Sequence, residues 1–209
     1  TRNGLLPRLD LFIALGKTGY AESFSDSFRN LDDSTVDLTA GNGADTLFLA
    51  RQVGTAGRVL AFDIQHQALR NTADRLAAEG IAGNYFTSPE DLPGVPGVCL
   101  IHDSHDRLDR YLDGPVKAFV ANLGYLPGGD PSLITRAGST LAAIRQALEL
   151  LVPGGRLAVV AYVGHPSGGD ESRQVDALLQ GLSSRHWHIV RLQVVNRDDA
   201  PYLLVVEKR

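Results

Sequence analysis

The chain has a single cysteine, a single tryptophan and no methionine. Its apolar residues are scattered, with no run long enough to span a bilayer. One cysteine, Cys99, excludes an intrachain disulfide and suits a reducing, cytoplasmic setting. Cys99 sits in the apolar run Val98-Cys99-Leu100-Ile101 and reads as a small buried hydrophobe. A secretory leader is also not expected, because the first apolar stretch is broken by Arg8 and Asp10. A basic surplus is lacking too: 20 Lys and Arg stand against 24 Asp and Glu, a net charge of −4. Any nucleic-acid contact must then rest on a local patch. The most basic late stretch, Arg185, His186, His188, Arg191 and Arg197, reads equally well as a solvated face.

What is present is the balance of one globular domain over residues 1–209, with 44% apolar and 21% charged residues. There is no internal repeat and no linker. Short elements punctuated by glycine and proline predict strands over 35–39, 58–63, 98–102, 116–121, 156–163, 189–195 and 202–207. Helices are expected over 45–53, 67–79, 139–151 and 171–182, with Gly80 capping the second and Pro153-Gly154-Gly155 ending the third. This alternation predicts an α/β fold with a doubly wound, mainly parallel seven-stranded sheet. The last two strands follow each other without a helix, so one strand near the C-terminus is expected to be antiparallel. Residues 1–34 read as an N-terminal cap, with a helix at Leu9–Leu15.

The first strand runs into Asp37-Leu38-Thr39-Ala40-Gly41-Asn42-Gly43-Ala44-Asp45-Thr46. Gly41 and Gly43 allow a sharp turn and a close backbone approach. Asp63 follows about 20 residues later at the end of the next strand, the place for a carboxylate over ribose hydroxyls. A dinucleotide fold would want a third glycine where this chain has Thr46, and Asp45 would repel a pyrophosphate. S-adenosylmethionine has no phosphate, and its ammonium accepts acids as neighbours. That cofactor is therefore expected, with a nicotinamide cofactor or a bare turn as the alternatives. Gln65 lies where it could reach ribose or adenine, or simply start a helix. His102-Asp103-Ser104-His105-Asp106 is expected to border the adenine. It lacks a second His/Cys group, so no metal is expected.

The fourth strand ends in Asn122-Leu123-Gly124-Tyr125-Leu126-Pro127-Gly128-Gly129-Asp130. This looks like a variant of the Asn-Pro-Pro-Tyr string of methyltransferases that modify amino nitrogens. The Asn oxygen can accept a hydrogen bond from a target amine, and the Tyr ring can stack on a base. Displacement at a methyl needs in-line approach, so positioning is the main catalytic device. A turn with a core-packed tyrosine is the plainer alternative. His165, after the fifth strand, could accept a proton or merely fix its loop.

Together these strings resemble the YtqB/MnmM family, described as rRNA methylases. The resemblance rests on Gly41-Asn42-Gly43-Ala44-Asp45-Thr46, Phe62-Asp63-Ile64-Gln65, His102-Asp103-Ser104-His105, Asn122 to Asp130, and Tyr162-Val163-Gly164-His165-Pro166 with Gly168 and Glu171. The chain departs from the family pattern at Asp106, Pro131 and Asp199-Ala200-Pro201, and residues 1–34 match poorly. The resemblance implies a homodimeric tRNA methyltransferase that binds the anticodon stem-loop. Its substrate would be the amine of 5-aminomethyl-2-thiouridine at the wobble position. It also implies that Asn42, Asp45, Asp63, Gln65, Ser104 and His105 hold S-adenosylmethionine, and that Asn122 and Tyr125 face the amine and the base. An rRNA or small-molecule methyltransferase and a non-catalytic cofactor-binding subunit remain as alternatives, because fold does not fix function.

Overall fold

A computed structural model describes residues 34–209, apart from 93, 95, 113, 130–132, 164–167 and 198–199. The expected helix at Leu9–Leu15 and His165 lie outside the described residues. The strands are β1 (Ser34–Asp37), β2 (Arg58–Phe62), β3 (Gly83–Phe86), β4 (Gly97–Ile101), β5 (Val116–Asn122), β6 (Leu151–Ala161), β7 (Trp187–Gln193) and β8 (Tyr202–Lys208). The helices are α1 (Ala44–Val53), α2 (His66–Ala77), α3 (Ala137–Leu150) and α4 (Gly168–Gln180). Short 3-10 turns cover Pro89–Asp91 and His105–Arg110.

The sheet runs β3-β4-β2-β1-β5-β6-β8-β7. Every neighbouring pair from β3 to β6 is parallel, and β8 alone runs against its neighbours β6 and β7. The one expected antiparallel strand is thus β8. The sheet has eight strands among the described residues rather than seven, because Gly83–Phe86 adds a short edge strand. It escapes a hydrophobicity reading because it lies at the edge of the sheet and Asn84 and Tyr85 are exposed. A second difference concerns Pro153-Gly154-Gly155. These residues lie inside β6, which begins at Leu151, where the register against β5 is irregular. Glycine and proline there mark a distorted strand start rather than a loop.

Period-two alternation sends successive side chains to opposite faces. Leu60 and Phe62 pack on one side with α3 and α4, through Ile144, Ala147, Val175 and Leu179. Val59 and Ala61 pack on the other side with α1 and α2, through Leu49, Val53, Leu69 and Leu76. Both faces are therefore covered, which explains the nearly continuous apolar strands. Cys99 is buried in the first of these layers. The α2 helix closes as its sequence predicts. Gly80 takes φ 72°, its N–H donates to the Ala77 carbonyl, and the Ile81 N–H donates to the Leu76 carbonyl. That pair of bonds is a Schellman motif, with Ile81 packing back on the core.

From β1 the chain steps to β2 on one side, while β5 lies against β1 on the other. The strand order reverses at the β1–β5 boundary. In an open α/β sheet the crevice beyond the carboxyl ends of the strands at such a boundary is the usual ligand position.

Candidate active site

The crevice is built on Asp37, the last residue of β1, which is fully buried. Its carboxylate accepts hydrogen bonds from the Thr39 amide at 3.0 Å and from Thr46 Oγ1 at 2.6 Å. Burial, then the charge of Asp45, pushes its pKa up to about 7. Thr46 thus occupies the position of a third glycine for a reason: its hydroxyl satisfies a buried acid.

The turn that follows has Gly41 at φ 53° and Gly43 at φ 76°. A Cβ on Gly43 would lie 2.7 Å from the Thr72 Cα, so only glycine lets this loop rest on α2. Asp63, just past β2, holds the same loop from the side. Its Oδ2 accepts from the Gly41 amide at 3.0 Å and its Oδ1 from the Gln65 amide at 2.9 Å. Each oxygen keeps a further acceptor site. Burial raises the Asp63 pKa, opposed by these two backbone donors.

The loop after β4 closes the third side. Asp103 anchors it by accepting from the Ser104 amide, from Tyr111 Oη at 2.8 Å and from Arg107 at 3.0 Å. Next to it, His105 Nδ1 lies 3.0 Å from the Leu38 carbonyl. A carbonyl only accepts, so Nδ1 carries the proton and Nε2 is a bare acceptor. That Nε2 is buried and, among the described residues, has no hydrogen-bond partner. Burial lowers the His105 pKa, which keeps the ring neutral at pH 7. His102 Nε2 reaches the Ile64 carbonyl at 3.0 Å, and its ring lies tilted by 47° against His66 at 4.3 Å. Among the described residues no group of three His, Cys, Asp or Glu could hold a metal ion.

The fourth side is the loop after β5. The Asn122 amide donates to Thr39 Oγ1 at 2.7 Å, which ties β5 to β1 across the crevice. Asn122 Nδ2 donates to Asp45 Oδ2 at 3.3 Å. Asp45 takes the amide nitrogen, and among the described residues the Asn122 Oδ1 accepts no hydrogen bond. Tyr125 is partly exposed, and its backbone bridges to Ile134. Leu126 is buried over Gly41, so this loop touches the glycine turn. Asn42 makes the same connection with its side chain. It accepts from Asn71 Nδ2 at 2.7 Å and donates to the Pro127 carbonyl at 3.4 Å.

Gly41, Asn42, Gly43, Asp45, Asp63, Gln65, Ser104, His105, Asn122 and Tyr125 all therefore lie at one end of the sheet, around one crevice. The sequence reading gave no role to Thr39 or Thr135, and it named Thr46 and Glu171 only as parts of matching strings. Glu171 opens α4, and its carboxylate accepts from Thr135 and Thr140. A threonine carries no sequence signal for such a role, since its partners lie far away along the chain.

Residues 59–208 match the model of a family described as "Putative rRNA methylase". The chain belongs to this family. A structure of a "putative rRNA-methylase" from Clostridium thermocellum is 38% identical, with a TM-score of 0.79, over 91% of this chain and 96% of that one. A methyltransferase structure from Streptococcus mutans in complex with S-adenosylhomocysteine is 32% identical, with a TM-score of 0.73, over 90% and 97%. The tRNA (mnm(5)s(2)U34)-methyltransferase of Arabidopsis thaliana chloroplasts is 34% identical over 184 residues, which is 85% of this chain. The chain spans 64% of the length of that plant relative. The rRNA-methylase family shares the class I fold of S-adenosylmethionine-dependent methyltransferases, and the strand order above is that fold.

Proposed function

We propose that this chain is an S-adenosylmethionine-dependent N-methyltransferase acting on the amine of 5-aminomethyl-2-thiouridine at the tRNA wobble position. The observation that carries the reading is the Asn122 amide beside an exposed Tyr125: Asp45 takes its nitrogen, and its oxygen accepts no hydrogen bond among the described residues. The plant relative named for this nucleoside supports the substrate.

The crevice fits the cofactor on three observations. The glycine turn leaves no room for a side chain at Gly43, Asp63 keeps acceptor sites free, and the buried His105 Nε2 has no hydrogen-bond partner among the described residues. Gly41, Asn42, Gly43, Asp45, Asp63, Gln65, Ser104 and His105 would hold it. When bound, S-adenosylmethionine supplies an electrophilic methyl on a sulfonium. Asp37, Asp45 and Asp63 would give the site a negative potential that suits a cationic cofactor. Asn122 Oδ1 accepts one N–H of the substrate amine and aims its lone pair. Because Asn122 is neutral, it orients the amine without holding it protonated. Tyr125 offers its ring to the base.

The rim of the crevice also suits a large substrate. Among the described residues, most of the exposed large apolar ones, Ile64, Tyr125, Leu133, Val194 and Val195, lie at this end of the sheet. The Val194–Val195 pair stands three strands from β5, about 14 Å away at about 4.8 Å per strand, within reach of one stem-loop. A homodimer, carried over from the family resemblance, belongs to the same proposal and is read by sedimentation. The decisive experiment incubates the protein with S-adenosylmethionine and tRNA bearing 5-aminomethyl-2-thiouridine, with nucleoside mass spectrometry as readout. The expected product is 5-methylaminomethyl-2-thiouridine. No mass gain on that nucleoside would remove the tRNA reading and favour a small-molecule acceptor, which the −4 net charge would suit.

A further inference from the structure

Glu171 is 3% exposed, and among the described residues no Lys or Arg pairs with it. A buried carboxylate is expensive and needs donors. Here they are two threonine hydroxyls. Thr140 Oγ1, on α3, donates to Oε1 at 2.6 Å, and Thr135 Oγ1 donates to Oε2 at 2.8 Å. Each hydroxyl has one proton, and both are committed to Glu171. The lone pairs of Thr135 Oγ1 then face the other way and accept the Gly124 N–H at 2.8 Å. The Thr135 amide donates to the Gly124 carbonyl at 2.9 Å. Both polar backbone groups of Gly124 are thus held by one residue. Gly124 has φ 128°, a conformation that other residues rarely adopt, and it sits between Asn122 and Tyr125. The adjoining backbone bridge, Tyr125 to Ile134, extends the same clamp.

We propose that Glu171 and Thr135 are positioning residues that set the Asn122–Tyr125 loop for methyl transfer, acting through Gly124 without touching cofactor or amine. The inference rests on the reading of that loop as the acceptor site. The relay is directional. A glutamine at 171 presents an NH2 on one side, which cannot accept from a hydroxyl, so one of the two threonines loses its acceptor. A serine at 135 keeps the whole relay, whereas valine keeps the shape and the backbone bond to the Gly124 carbonyl but removes the hydroxyl that joins Glu171 to the Gly124 N–H.

The test compares Thr135→Val, Thr135→Ser and Glu171→Gln in the full chain. It uses single-turnover methylation of the tRNA above, calorimetric titration of S-adenosylhomocysteine, and amide hydrogen exchange at Gly124 by NMR. Thr135→Val should lower the single-turnover rate at least tenfold, leave cofactor affinity within about twofold, and accelerate Gly124 exchange. Glu171→Gln should follow it in all three, and Thr135→Ser should restore most of the rate and the protection. Parental turnover in Thr135→Val, or a serine variant as poor as the valine one, overturns the proposal. So does a loss of cofactor affinity matching the loss of rate. If the parent itself leaves the tRNA unmethylated, the substrate reading fails. The exchange arm then decides the relay alone, and unchanged Gly124 exchange in Thr135→Val overturns it.

Discussion

Replacing Asn122 by Asp changes one atom's chemistry at the centre of the site. In the parent, Asn122 Nδ2 sits 3.3 Å from Asp45 Oδ2. The variant puts a second carboxylate oxygen there. Two unit charges at that distance repel by about 1 kcal/mol at the dielectric of water, and by about 5 kcal/mol at an effective dielectric of about 20. Both residues are half-buried, so the cost falls between these limits. An arriving amine relieves the repulsion by staying protonated, and that energy adds to its pKa at about 1.4 kcal/mol per unit. An alkylamine already titrates near the Lys reference of about 10.4, so only its neutral minority can attack at pH 7. A further rise of about two units removes about 99% of that minority. The expected result is a single-turnover rate about 100-fold below the parent at pH 7. The rate should recover about tenfold per pH unit as the neutral fraction grows. Cofactor affinity should hold or rise, because the added charge is negative and the cofactor is cationic. The assay is a pH–rate profile of nucleoside methylation beside a calorimetric titration. Below the amine's pKa both profiles rise about tenfold per pH unit, so the variant's should run about two log units under the parent's and keep rising after the parent's levels off. A variant profile that levels off at the parent's pH refutes the contact between Asn122 and the amine.

Three further outcomes are expected. Asp63→Ala should weaken S-adenosylmethionine binding tenfold or more, since charge-assisted hydrogen bonds contribute about 1.5–3 kcal/mol each; unchanged calorimetric affinity would remove Asp63 from the site. Gly43→Ala forces a left-handed φ on alanine and drives its Cβ against the Thr72 backbone, which should cost about 1–3 kcal/mol or more and lower the melting temperature by several degrees. Asp37 has its folded pKa raised from 3.8 to about 7, so the fold retains a proton that the unfolded chain has released. Its contribution therefore destabilises the apo-protein progressively as pH climbs from about 4 to about 7 and is constant above that. A cationic ligand favours the ionised acid, so binding near pH 6–7 should release protons, measured by calorimetry in buffers of different ionisation enthalpy. Asp37→Asn should abolish that release, and equal release in parent and variant would assign it elsewhere.

Much of this fold was legible because its strands are buried on both sides and its helices carry their own stop signals. Val59 to Phe62 and Val98 to Ile101 read as apolar runs, and Gly80 marked the end of α2 at the residue that takes the left-handed turn. β3 was missed because an exposed edge strand shows neither alternation nor an apolar run. Leu151 was misplaced because Pro153-Gly154-Gly155 is a break signal whose meaning only the pairing with β5 reveals. At the site, glycines and acids were legible, since a tight turn and a ribose carboxylate each demand a residue type at a set spacing. The threonines were not. Thr39, Thr46 and Thr135 act through single hydroxyls on partners 83, 9 and 36 residues away.

The place of β8 in the sheet bears on how the molecule is made. Translation delivers β7 before β8, yet β8 lies between β6 and β7. A growing chain that has emitted everything up to Ala200 has no partner for Trp187–Gln193, and the long flank of β6 is open. Both ladders form only when Tyr202–Lys208 leaves the ribosome and slots into the gap. Until then the nascent protein carries an unpaired strand edge of the kind that recruits other chains. Premature termination before or within Tyr202–Lys208 would therefore expose two vacant edges at once, and such truncated products should be found in aggregates or with chaperones rather than as shortened folded proteins.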